Sequence, residues 1–132
     1  MSQKNVETMQ RAMDAFNKRD GNAFDCLLAD DAVIVPVRAS LEGTTYSGHD
    51  AGTQYCSAVA KSWHGLRWRV EEMREGDGWV LALGRIRSRG RDSGAMIDAR
   101  AGWLAHFREG RITRFQTFTS RENALKAAGL SE

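Results

Sequence analysis

Three observations predict a single α+β domain in which helices lie in the concavity of a cone-shaped, curved antiparallel sheet. Val6, Met9, Met13 and Phe16 recur at helical spacing. From Leu66 onward the period drops to two, with Trp68 and Val70 set between Arg67 and Arg69. Gly76-Asp77-Gly78 and Glu109-Gly110 then punctuate strand-length runs as turns. Helices first and an antiparallel meander afterwards is the α+β arrangement. The 132 residues suffice for one core and show no linker or repeat.

Each element follows from local signals. The first helix ends at Asp20-Gly21, and Asn22 can cap a short second helix with Phe24, Leu27 and Leu28 inward. Ala29-Asp30-Asp31-Ala32 reads as an acidic helix end running into a β-branched strand, Val33 to Val37. Pro36, the only proline, places that strand at an edge. Asp50 is the expected cap of a third helix carrying Tyr55, Cys56, Val59 and Trp63. Trp79, Leu81 and Leu83 continue one strand of the meander, and Gly90 to Gly94 turns it back. Ala95 to Phe107 and Ile112 to Thr119 are the last two strands. Ser120 caps a closing helix, Gly129 takes the left-handed position after it, and Leu130 folds back on Leu125.

Composition narrows the function classes. The content is 42% hydrophobic and 27% charged with a formal charge of +2, ordinary for a globular domain. So small a charge demands neither a nucleic-acid nor a membrane partner. No apolar run approaches the roughly 20 residues that span a bilayer. The N-terminal residues carry no apolar leader, so the expected location is cytoplasmic, with Cys26 and Cys56 as free thiols. His49, His64 and His106 lack metal-ligand spacing. No phosphate-binding glycine loop or nucleophile elbow occurs, and no cofactor is expected.

Several motifs, in order, carry a resemblance. They are Ala-Asp-Asp-Ala at 29–32, Tyr-x-Gly-His-Asp at 46–50, Ser-Gly at 93–94, Phe-Arg-Glu-Gly-Arg-Ile at 107–112 and Ala-Leu-x-x-Ala-Gly-Leu at 124–130. Together they resemble the SnoaL-like group of the nuclear transport factor two-like superfamily, which includes ketosteroid isomerases, polyketide cyclases and limonene-epoxide hydrolases. The resemblance covers nearly the whole chain. It implies a curved sheet wrapped on helices, a concave pocket for a small hydrophobic ligand and a homodimer. It does not imply one activity, because such a fold hosts many.

Position by position, the isomerase set is missing. The resemblance places that family's tyrosine at Ala12, its general base at Val35 beside Pro36, and its second oxyanion donor at Trp103. Enolisation needs a base and a donor for the developing oxyanion, and none of these three side chains supplies either role. An aspartate common at the end of the last strand in other members is replaced by Ser120, which suits a helix cap better.

Strand parity sorts the remaining candidates. If Trp103 faces the pocket, then Ala95, Ile97, Ala99, Ala101, Ala105 and Phe107 share its face. Met96, Asp98, Arg100, Leu104 and His106 then look outward, toward solvent or a dimer partner. Arg85, Arg87, Arg89 and Arg91 alternate into a guanidinium stripe, which reads as a solvated hairpin arm. Candidate pocket-lining residues are Phe16, Trp63, Trp103, Phe115, Thr117 and Thr119. Two functions stay open. One is an acid–base isomerase or cyclase-type enzyme whose catalytic groups would be Tyr46, His49 or Tyr55. The other is a non-catalytic ligand-binding or accessory domain.

Overall fold

The first helix, α1 (Ser2–Asn17), buries the stripe that its spacing predicts, with Met9, Ala12, Met13 and Phe16 all inside. It ends in a Schellman turn. Asp20 N–H donates to Ala15 O at 2.8 Å and Arg19 N–H to Phe16 O at 2.9 Å. The left-handed residue of that turn is Arg19, at φ 55°, rather than the expected glycine. Its guanidinium holds it there by donating to the carbonyls of Phe16 and Leu66. Asp20, not Asn22, then caps α2 (Gly21–Asp25) by accepting from Ala23 N–H at 3.1 Å.

The structure, a computed structural model, describes residues 2–36, 45–90 and 96–130, without the side chains of Ser2, Ser62, Trp63, His64, Arg89 and Ile97. Val37, the Gly90–Gly94 turn beyond Gly90, Arg91 and Ala95 lie outside the described residues. The remaining elements are β1 (Leu28–Val35), β2 (Tyr46–Ser47), α3 (Ala51–Ser62), β3 (Trp63–Gly76), β4 (Trp79–Gly90), β5 (Met96–Arg108), β6 (Arg111–Phe118) and α4 (Arg121–Ala127). The strands form one open, curved six-stranded sheet in the order β2-β1-β6-β5-β4-β3, with the N-terminal helices against one face.

The expected architecture holds with four corrections, the first being that β1, expected at an edge, is paired on both sides, by β2 and β6. The sheet is not wholly antiparallel, because β1 runs parallel to β6. The strand β1 begins at Leu28, so the acidic pair Asp30-Asp31 lies in a strand rather than at a helix end. Both residues are exposed, and the β1–β6 ladder is irregular between Leu28 and Val33. Trp63 opens β3 instead of closing α3, and Gly65 at φ 66° interrupts the ladder before it resumes at Arg67.

Helices α2 and α3 cross closely because glycines stand where they touch. A Cβ on Gly52 would meet Phe24 Cβ at 2.8 Å, and one on Gly21 would meet Thr53 Cα at 2.6 Å. The carboxylate of Asp25 fixes the crossing by accepting from the N–H and hydroxyl of Thr53.

Two cores result, one on each face of the sheet. The inner core joins α1, α2 and α3 to Ile34, Trp68, Ala82, Ala101, Trp103, Ala105, Ile112 and Phe115. The outer one packs Leu81, Leu83 and Leu104 under Ala124 and Leu125 of α4. Leu104, expected on an exposed face for a dimer partner, is therefore already covered within the chain. Helix α4 carries the predicted cap and stop. Ser120 Oγ accepts from Asn123 N–H at 3.2 Å, Gly129 sits at φ 78°, and Leu130 N–H donates to Leu125 O at 2.8 Å.

The β4–β5 ladder is unbroken from Met96 to His106, which settles the parity of β5. Asp98 and Arg100 lie on the face opposite Trp103 and are exposed. In β3, by contrast, Glu71 is an extra residue between the pairs Val70↔Gly84 and Glu72↔Leu83. The bulge turns Glu72 outward to Arg74 at 2.6 Å and Arg121 at 3.4 Å, and Met73 inward. It needs Gly84, since a Cβ there would lie 1.9 Å from Arg69 O.

The join between α1 and β3 makes a stability prediction. Asn17 Nδ2 donates to Trp68 O at 2.9 Å, and Trp68 N–H donates to Asn17 Oδ1 at 2.8 Å. Asn17→Ala leaves both backbone groups without these partners and is expected to lower the unfolding free energy by about 1–3 kcal/mol. Urea unfolding followed by tryptophan fluorescence measures it. A change within error of zero would show that the pair contributes nothing.

Candidate functional site

Inward positions on four strands and two helices meet in one aromatic cluster on the concave face. Trp68 is its hub. Its ring stacks on Phe16 with centroids 3.5 Å apart and planes 5° apart. It also lies 5.4 Å from Trp103, 5.6 Å from Phe115 and 6.1 Å from Tyr55. Tyr55 reaches from α3 to within 5.2 Å of Phe16 and 5.7 Å of Tyr46, centroid to centroid. Tyr46 stands half-buried on β2 at the margin of the cluster.

Polar atoms in this interior are few. Trp103 and Thr117 are directly opposed across β5 and β6. Both are buried, and neither Trp103 Nε1 nor Thr117 Oγ1 has a hydrogen-bond partner within the protein. The Tyr55 phenol lies beside Thr117. Burial pushes its pKa well above the usual tyrosine range, and the proximity of Thr117 opposes that shift without making a hydrogen bond of normal geometry. Tyr55 is therefore a protonated donor at any physiological pH. The buried polar or charged residues among those described are Thr8, Ser88 and Thr117, so no buried carboxylate joins the cluster.

The sequence candidates divide accordingly. Phe16, Tyr55, Trp103, Phe115 and Thr117 come together in the interior, with Tyr46 at its margin. His49 sits exposed in the turn before α3. Thr119, expected inward with Thr117, lies beyond the end of β6 at Phe118 and is exposed, because the chain turns there toward the Ser120 cap. The Trp63 side chain lies outside the described residues. Ala12 is fully buried in α1, and Val35 is half-buried while its neighbour Ile34 points into the core. The sequence pattern did not single out Trp68 as the hub or Asn17 as its holder. The lone polar residue at the end of an apolar helical stripe was the available signal for Asn17.

A second depression lies between the turn after α1 and helix α3. It holds about 340 Å³ and is lined by Arg19, Asp20, Thr53 and Cys56. Burial pushes the Cys56 thiol up to about 11, against the pull of Arg19, so the sulfur stays protonated and unreactive. Among the described residues no group of three or more His, Cys, Asp or Glu could hold a metal ion. No described helix is long and apolar enough to cross a membrane.

The model of the SnoaL-like domain matches residues 9–115, a span that runs from the middle of α1 to Phe115 in the aromatic cluster. The chain belongs to the SnoaL-like domain family. Solved structures agree in fold. An NTF2-like protein of unknown function from Burkholderia pseudomallei superposes with a TM-score of 0.79 at 22% identity, covering 96% of this chain and 97% of that one. A protein named a SnoaL-like polyketide cyclase, from Jannaschia sp. CCS1, gives 0.77 at 16% identity over 100% and 96%. A protein with a ketosteroid isomerase-like fold from Catenulispora acidiphila, crystallised with trimethylamine, gives 0.77 at 17% identity over 95% and 94%. No curated protein matches the sequence.

The state of Tyr55 in this SnoaL-like domain is measurable. In a spectrophotometric titration, wild type and Tyr55→Phe are expected to give the same phenolate absorbance at about pH 11, above the ordinary tyrosine pKa of about 10. A smaller amplitude in the variant while the fold persists would mean that Tyr55 ionises like an exposed phenol.

Proposed function

We propose that this SnoaL-like domain binds a small, flat, hydrophobic molecule on its concave face. Tyr55, Thr117 and Trp103 supply the polar contacts, and Phe16, Trp68 and Phe115 the apolar walls. One observation carries the reading. The Trp103 indole N–H and the Thr117 hydroxyl stand buried and without protein partners, side by side on one stretch of the inner face. Buried polar groups are nearly always satisfied, so a pair left free toward an aromatic interior fits a ligand's oxygen or nitrogen. Structures of the same fold that hold small molecules support this, namely the trimethylamine complex and TerC crystallised with polyporic acid.

Binding without turnover accords best with the chemistry of the interior. Proton abstraction needs a base, and the titratable group in the cluster is a phenol held in its acid form. A catalytic role for Tyr55 would be limited to donating a hydrogen bond or a proton to a substrate that needs no base. His49, exposed in its turn, and Tyr46, at the margin, are not placed to complete a relay through described residues.

Aromatic or polycyclic probes are expected to quench the tryptophan emission saturably, and Trp103→Phe should lose much of that quenching. Thr117→Val should weaken binding several-fold while leaving stability unchanged or slightly raised, since it removes an unpartnered hydroxyl. No isomerisation of a β,γ-unsaturated ketosteroid is expected, because loss of base and donors together forfeits several kcal/mol of transition-state stabilisation. Isomerisation at enzymatic rates, or quenching indifferent to both substitutions, would defeat the proposal.

A further inference from the structure

The outer face of the sheet carries a concentration of arginine that the interior site does not use. Strand register places Arg67 opposite Arg87, Arg69 opposite Arg85, and Arg85 opposite Arg100, so three neighbouring cross-strand pairs are Arg–Arg. Like charges directly opposed on a sheet face destabilise it. Among the described residues, one carboxylate pairs with this group of five guanidinium side chains. Asp98 lies 3.2 Å from Arg85 Nη1 and 3.6 Å from Arg87 Nε. Among the described residues, the side chains of Arg67, Arg69 and Arg100 make no hydrogen bond or ion pair. Helix α4 shelters the other end of this face and does not extend over the arginines.

The surface is also concave there. A cleft of about 510 Å³ is lined by Arg67, Arg69, Arg87 and Met96, and by Gly65, Trp68 and Ser88, of which Trp68 and Ser88 belong by register to the opposite face. That volume lies in the range of small-molecule sites. Met96 is 61% exposed beside the charges. A solvated arm explains one alternating stripe of arginine. It does not explain arginines in register on three strands, two of which line a cleft, where a local rule of sheet pairing is broken repeatedly with a single carboxylate among the described residues in compensation.

We propose that this cleft binds a phosphate-bearing small molecule, at a site separate from the concave interior. Guanidinium forks match phosphate oxygens two at a time, and several forks converging on one cleft suit a group with more than one negative charge. The dimensions favour a compact ligand over a nucleic acid. The patch spans three strands and two same-face positions along each, roughly 10 Å by 7 Å, the extent of a diphosphate rather than a track for a polymer. Among the described residues the exposed large apolar side chain beside it is a methionine, with no exposed aromatic of the kind on which single-stranded nucleic acids stack. A second copy of this chain would bring arginine against arginine across a two-fold axis.

Calorimetric titration with sodium pyrophosphate tests the proposal, at about 50 and 150 mM salt so that screening is visible. Saturable one-site binding is expected, weaker at the higher salt. The double substitution Arg67→Gln, Arg87→Gln should reduce affinity about tenfold or more, and Arg67→Lys, Arg87→Lys should retain only part of it because the fork is lost. The ligand-free glutamine variant should unfold at the same or a higher denaturant concentration than wild type, since a like-charge pair has been removed. Absence of saturable binding at low salt, or equal affinity in the glutamine variant, overturns the site. Tighter binding of an oligothymidylate through the same arginines overturns the ligand class. A dimer in sedimentation equilibrium that these substitutions dissociate overturns it in favour of self-association. None of these outcomes bears on the interior site, which is read by tryptophan quenching.

Discussion

The last turn of α1 protects the exposed edge of β3, and the rest of the interior is built on that contact. Strand β3 ends the sheet, so alternate backbone groups face away from β4. At Trp68 both outward groups are taken by the Asn17 amide, which stands in for a neighbouring strand. Two residues earlier, the Leu66 carbonyl accepts from the Arg19 guanidinium. Those bonds fix the height of α1 along the strand, and at that height Phe16 stacks on Trp68. The Arg19 side chain serves twice, since it also holds its own left-handed backbone by bonding to Phe16 O. The short helix α2, and α3 packed on it, are positioned from that turn.

The same strand sets what each face of the sheet can do. Up to Val70, alternate residues of β3 send Trp68 inward and Arg67 and Arg69 outward. The bulge at Glu71 then shifts the phase, so that Glu72 reaches Arg121 of α4 and Met73 joins the inner core. One end of the outer face is thereby apolar and closed by α4, and the other is cationic and open. The extra residue is tolerated because Gly84 lets the strands approach.

Much of this was legible in the residues. The apolar stripe of α1, the meander, the cap at Ser120 and the stop at Gly129 are local patterns, and the structure keeps them. The parity of β5 followed from alternation because no bulge intervenes between Met96 and His106. What was not legible depends on contacts distant in sequence. The early start of β1 comes from pairing with β6, and that parallel pairing has no signature within β1 itself. Arg19 in the left-handed position depends on a carbonyl 47 residues away. Thr119 obeys the alternation of its strand, but the strand stops one residue before it. Of the site, the sequence supplied the aromatic inventory and the polar members Tyr55 and Thr117. It did not supply the centre, because Trp68 differs from the other tryptophans only in what surrounds it.

The two faces divide polarity in a way that bears on the kind of chemistry the domain supports. Among the described residues, charged side chains lie outside the buried cores, and the interior holds the Tyr55 phenol, the Trp68 and Trp103 indoles and the Thr117 hydroxyl. In such surroundings a proton leaves a tyrosine only at great cost, because the phenolate would have no cation or donor set to replace water. The nearest guanidinium, Arg19, is committed to two backbone carbonyls and to the face of Phe16, 4.6 Å from its ring centroid. It weakens the rise in the Tyr55 pKa only slightly, as the smallest of the contributions to it. Such an interior suits the neutral guest proposed for it better than an ionic one, and the exposed arginines stand on the opposite face of the sheet.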